Sequence, residues 1–144
     1  MVRKRTKGRD YAVQMLYSAT VADNTPEETK SSFRLEYDKE LPEILDFADK
    51  LFDCAYKNKE KDEEIISQLI SKNWTIERIG IIERCILRLG ISELFDGDAP
   101  YYAVIDDYVT LAKNYGDERS ASFVNGLLEN VKNKFSLELN NGKK

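Results

Sequence analysis

The segment from Ile76 to Phe95 constrains the fold of this chain more than any other. Ile79, Ile82, Cys85, Ile86, Leu87, Leu89, Ile91 and Leu94 recur at helical spacing and cover most of a helix circumference. Only a narrow polar strip of Glu77, Arg84, Arg88 and Ser92 interrupts that coat. Thr75, after Trp74, is a candidate N-cap, and Asp96-Gly97-Asp98 ends the pattern. A helix this apolar needs neighbours on several sides, so the rest of the chain must surround it. Glu83 is the odd residue, projecting within the apolar arc between Ile79 and Leu94. A carboxylate there either pairs with a buried cation or emerges where the arc is uncovered, to meet a partner protein or an RNA base edge.

The flanking sequence supplies the neighbours as further helices, and no stretch alternates with period two. A first helix from about Gly8 to Ala22 turns Ala12, Val13, Leu16, Ala19 and Thr20 inward, with Tyr17 at the edge of the stripe. Thr25-Pro26-Glu27-Glu28 combines a cap, a proline at N1 and a glutamate at N3, and opens a peripheral helix to about Glu36. Pro42 opens a third helix to about Lys57, and a fourth is expected from about Lys61 to Ser71. After the central helix, Pro100 starts a sixth, which Gly116 stops after Tyr115. The seventh runs from about Arg119 to Phe135, with Phe123, Val124, Leu127, Leu128 and Val131 inward and Gly126 read as a point of close helix packing. The expectation is one all-α domain over residues 1–144: a basic N-terminal arm (1–8), a seven-helix body (9–135) and a polar tail (136–144). A chain of this length can bury roughly 68–70% of its unfolded surface, enough to stand without a disulfide or a metal.

The residues offer little for catalysis. The chain has no histidine, which removes the commonest general base and the commonest metal ligand. Cys54 and Cys85 lack zinc or redox spacing and read as buried small hydrophobes. Glu63-Glu64 and Asp106-Asp107 are adjacent on helices, point about 100° apart and read as solvated faces. No glycine-rich loop matches a phosphate-binding fingerprint. The expectation is a protein that is not an enzyme and takes no cofactor or metal. No apolar run approaches the ~20 residues of a membrane span, and the charged N-terminus has no apolar segment behind it, so the cytoplasm is the expected compartment.

Nucleic acid is the better-supported ligand. The net charge is −4, yet Arg3, Lys4, Arg5, Lys7 and Arg9 put five cations into seven residues. Such a run is either a solvated tail or a localised anchor for a polyanion. It leads directly into a helix carrying Tyr17, which interleaves basic and aromatic groups. Phosphate contacts position a strand, whereas reading it requires stacking platforms and hydrogen-bonding groups. Tyr17 and Phe123 are the candidate platforms, although Phe123 taken alone reads as a core residue.

Four strings, in order and in register across nearly the whole chain, resemble the NusB transcription antitermination factors. They are Arg9 to Ser18 (RDYAVQMLYS); Glu83 to Arg88 (ERCILR) with Glu93-Leu94; Pro100 followed by Val104-Ile105-Asp106-Asp107 and Leu111-Ala112-Lys113; and Phe123 to Leu128 (FVNGLL). The resemblance implies two packed three-helix subdomains. It implies binding of single-stranded boxA-type leader RNA together with the small-subunit ribosomal protein NusE. It also implies assembly with other Nus factors on RNA polymerase in support of ribosomal RNA synthesis. By resemblance, Arg3, Lys4, Arg5, Lys7, Arg9, Tyr17, Glu77 and Phe123 contact RNA, and Glu83 faces the protein partner. Thr6 and Gly8 interrupt the basic run, and Gly8 is expected to loosen the helix start by roughly 1 kcal/mol relative to alanine. Arg119 stands where a relative carries aspartate, near both RNA and partner. Two alternatives are a helical self-association module, such as a homodimer covering the RNA surface, and the NusB-like domain of RNA 5-methylcytosine methyltransferases. No methyltransferase domain follows in these residues, which favours a free-standing factor.

Overall fold

The computed structural model describes residues 3–70 and 79–139. It is all-α. The helices are α1 (Lys4–Ala22), α2 (Pro26–Glu36), α3 (Pro42–Lys57), α4 (Lys59–Leu69), α5 (Ile81–Asp96), α6 (Tyr101–Tyr115), α7 (Glu118–Lys134) and a single turn, α8 (Ser136–Leu139).

The central segment behaves as its composition demands. Every residue of α5 from Cys85 to Leu94 is buried, including Arg88, Ser92 and Glu93. Arg88 and Ser92 of the polar strip therefore do not face water, whereas Arg84 is partly exposed. Arg88 Nη2 donates to the Ala55 carbonyl at 2.9 Å, and the Ser92 hydroxyl donates to Asp62 at 2.5 Å. Helices α1 to α3 pack on one another, as do α5 to α7, and α5 also touches α1, α3 and α4. Leu16, Phe52, Ile86, Leu87, Leu89, Leu94, Tyr108 and Leu128 lie in one continuous apolar core across both groups.

Several boundaries differ from the sequence expectation for identifiable reasons. Helix α5 begins at Ile81, because Gly80 takes an extended conformation (φ −57°, ψ 149°) as its N-cap. The expected start at Ile76, the Thr75 cap and Glu77 lie outside the described residues. The connection expected between Lys57 and Lys61 shrinks to Asn58, which closes α3 and opens α4. The tail does not simply fray: α8 follows Phe135, Leu139 is buried, and its carbonyl accepts from the Tyr101 hydroxyl at 2.5 Å. The Thr25 capping box forms as read, with the Thr25 side chain accepting from the Glu28 amide and Glu28 accepting from the Thr25 amide.

The N-terminal arm is the largest correction. Residues 4–8 are not a separate arm but the first turns of α1. Gly8 does not loosen them. It is buried, and a Cβ there would fall 2.6 Å from Phe47 Cδ2, so its lack of a side chain lets α1 lie against α3. Gly126 is the reverse: it is exposed, and among the described residues a Cβ there would meet nothing within 4 Å and no helix packs closely on it. Cys85 is buried as expected, but Cys54 is only half-buried, and its thiol donates to Asp96 at 3.1 Å. No helix among the described residues is long and apolar enough to cross a membrane.

Candidate nucleic-acid interface

The first turns of α1 carry Arg3, Lys4 and Arg5 on the outside. Lys4 pairs with Glu43 at 2.7 Å and Arg5 with Asp98 at 2.7 Å, both between solvent-exposed groups. The Arg5 guanidinium also lies over the Phe47 ring, 4.8 Å from its centroid. Exposed pairs of this kind contribute little to stability, so an incoming phosphate can replace the carboxylate at small cost. Lys7 is held more firmly. It pairs at 2.7 Å with Glu40, which also accepts from the Tyr11 hydroxyl at 2.6 Å. Hydrogen bonds from Lys7 and then Tyr11 hold the Glu40 carboxyl down at about 2.

Arg9 belongs to the interior and is not available to a phosphate. It is 3% exposed. Its Nε and Nη2 grip Glu93 at 2.9 and 2.5 Å, and Nη1 meets Asp107 at 2.8 Å. Tyr108 donates to Glu93 at 3.0 Å, and Thr6 donates to Asp107 at 2.9 Å. Burial alone would lower the pKa of Arg9, but hydrogen bonding and charge from Glu93 outweigh it, and the net shift is upward. Burial, then the charge of Glu93, drives the Tyr108 phenol well above its ordinary range. A helical position facing α5 and α6 turned a cation of the basic run into the bridge between three helices. Asp107 is thus part of this network, not a solvated face.

A second region gathers Glu83, Arg119 and Phe123 around a groove of about 630 Å³ whose apolar side includes Ile70 and Ile79. Because α5 begins at Ile81, Glu83 sits in its first turn, where a carboxylate suits the positive end of the helix dipole. It makes no ion pair among the described residues and accepts from the Ser120 hydroxyl at 2.5 Å. Arg119 lies in the first turn of α7, not in the loop, behind the Asp117 cap that accepts from the Ser120 amide at 2.9 Å. Phe123 is 37% exposed at the groove and so is not a core residue; Tyr17 is 41% exposed on α1 but lines neither the groove nor the basic turn.

Comparison with known proteins decides the family. A model of the NusB family matches residues 6–133. The chain belongs to the NusB family. Transcription antitermination protein NusB of Myxococcus xanthus is 37% identical over 131 residues, spanning 88% of this chain and 93% of that one. The NusB of Anaeromyxobacter dehalogenans is 34% identical over 131 residues, spanning 91% and 92%. Among solved structures, antitermination factor NusB in a crystal with NusE and double-stranded RNA superposes with a TM-score of 0.83 at 32% identity, covering 93% of this chain and 99% of that one.

Within the NusB fold of this chain, the candidate residues fall into an exposed cationic turn, a groove holding Glu83, Arg119 and Phe123, and Tyr17 between them in sequence. Glu77 lies outside the described residues. Sequence reasoning missed the acidic partners of the basic run: Glu40, Glu43, Glu93, Asp98 and Asp107. One signal was available for Glu93: a carboxylate within the apolar helix, one turn from Leu89, requires a buried cation. The others come from distant segments, and no local pattern announces them.

Proposed function

We infer that this protein is a non-enzymatic, cytoplasmic transcription antitermination factor. In this reading it binds single-stranded boxA-type leader RNA together with the ribosomal protein NusE, joins other Nus factors on RNA polymerase and supports ribosomal RNA transcription. The observation that carries the reading is the exposed start of α1 with Arg3, Lys4 and Arg5, where the ion pairs of Lys4 and Arg5 are ones a phosphate can displace, in a chain of this family. Lys7 reaches a fourth phosphate once it leaves Glu40. Tyr17 and Phe123 supply stacking faces, and Glu77 supplies an acceptor for base edges. Glu83 and Arg119 form the partner-facing side of the groove. The solved NusB relative with NusE and double-stranded RNA supports both partners.

The test is a titration of fluorescent boxA-like RNA, single- and double-stranded, with the protein alone and with NusE at several salt concentrations. Binding should tighten with NusE, and NusE binding should tighten equally with RNA, because coupling is reciprocal. Absence of binding in every setting at low salt would sink the reading. Sedimentation with and without RNA tests the homodimer: a dimer that RNA does not dissociate would favour the self-association alternative.

A further inference from the structure

The cationic turn is one wall of a groove of about 760 Å³ whose other wall is the start of α6. Arg3, Lys4 and Arg5 stand on the α1 side, and Tyr102 and Asp106 on the α6 side. Tyr101 and Tyr102 are adjacent on a helix and so point about 100° apart. Tyr101 packs against the core and donates to the Leu139 carbonyl. Tyr102 is 77% exposed and makes no hydrogen bond or ring contact among the described residues. A single exposed aromatic is ordinary on a protein surface. What distinguishes Tyr102 is its company, because neither Tyr17 nor Phe123 lines the groove that holds the α1 cations.

Asp106 follows Tyr102 by four residues, so the two share one face of α6. Asp106 is exposed and makes no ion pair among the described residues. The other acids of the groove are engaged: Asp107 by Arg9 and Thr6, and Asp98 by Arg5. A carboxylate without a cation repels phosphate, so the backbone of a strand in this groove belongs on the α1 side and its base on the α6 side. An ionised carboxylate only accepts hydrogen bonds. Guanine presents two adjacent donors, N1–H and N2–H, on its Watson–Crick edge, matching the two carboxylate oxygens as a fork. The other three bases set an acceptor beside each donor on that edge, which would face a carboxylate oxygen with a lone pair. In a single strand the edge is open to be read.

We propose that Tyr102 and Asp106 select a guanine of the bound RNA: its ring stacks on Tyr102, Asp106 accepts from N1–H and N2–H, and the α1 cations hold the adjoining phosphates. The proposal rests on the RNA-binding reading above. It adds a means of reading sequence that phosphate contacts by themselves do not have.

The test is a fluorescence titration of the full chain with NusE and a guanine-containing boxA-like single strand. It is repeated with each guanine in turn replaced by inosine, which lacks the N2 amino group. Tyr102→Ala should weaken binding about tenfold, and Tyr102→Phe, which keeps the ring, should bind like the unaltered protein. Both variants should unfold at the temperature of the unaltered protein, since the side chain is exposed. Inosine at one position should weaken binding to the unaltered protein about fivefold and should cost nothing with Asp106→Ala. The coupling is the readout, because removing a negative charge beside phosphates also favours binding. The proposal is overturned if Tyr102→Ala binds RNA as tightly as the unaltered protein, or if no inosine has a cost that Asp106→Ala removes. In either case, an affinity that still falls when Lys4 and Arg5 are replaced leaves the RNA-binding reading standing. Failure of the unaltered protein to bind any RNA at low salt overturns both.

Discussion

Arg5 and Arg9 lie one turn apart on α1 and differ in almost everything else. Arg5 is half-exposed, pairs with a carboxylate in solvent and lies across the face of Phe47. Arg9 is enclosed by Glu93, Asp107 and the Tyr108 hydroxyl. The first can exchange its carboxylate for a phosphate, because water already competes for the pair. The second cannot, because taking either charge away leaves the other buried without compensation. A basic motif is thus two things at once: a docking surface at its outer end and an internal strut at its inner end.

The comparison is open to direct attack, and the strut offers the largest effect. Arg9→Ala should destabilise the fold by about 3–5 kcal/mol by stranding Glu93, measured by chemical denaturation. A loss below about 1 kcal/mol would place Arg9 with the surface cations.

Asp62 tests the buried class without a full ion pair. Burial, only partly offset by the Ser92 hydroxyl and then Arg88, pushes its carboxyl up from 3.8 to about 7. Between those values the native state binds the proton and the unfolded state does not, so this group makes stability fall as pH rises from about 4 to 7. The total is up to about 4 kcal/mol. Asp62→Asn should flatten that part of the stability–pH curve, read as denaturation midpoints across the window; an unchanged slope would remove Asp62 as its source.

At the outer end, replacing Lys4 and Arg5 together by alanine should weaken RNA binding about tenfold at moderate salt. It should lower the salt slope by about 0.7 for each single-strand phosphate that the variant no longer neutralises. Unfolding should move by no more than about 0.5 kcal/mol. A large stability loss with an unchanged salt slope would reverse the assignment of the two ends. A smaller effect of opposite sign is expected from Asp98→Asn, which frees Arg5 and should tighten RNA about twofold, seen in the same titration.

The glycines give a last and finer contrast. Gly8→Ala should cost about 1–3 kcal/mol against Phe47, although alanine is the better helix former. Gly126→Ala, in open space, should instead stabilise by up to about 1 kcal/mol. Calorimetry of the two variants separates them by the sign of the change in melting temperature.

Much of the fold was legible in the chain itself. The apolar arc of the central helix identified a bundle and its axis, since a helix coated on most sides has to be enclosed. Thr25-Pro26-Glu28 marked the start of α2, because a capping box involves residues only three apart. The family strings and the cluster of cations were equally readable, as were Tyr17 and Phe123 as candidate platforms. All of these are local patterns. The fate of each cation, the start of α5 at Ile81, the opposite environments of Gly8 and Gly126, and the grooves at Phe123 and Tyr102 were settled only by the tertiary structure. Periodicity tells which way a side chain points from its own helix. What it meets there depends on residues such as Phe47, Glu93 and Asp107, brought up from dozens of positions away when the helices pack.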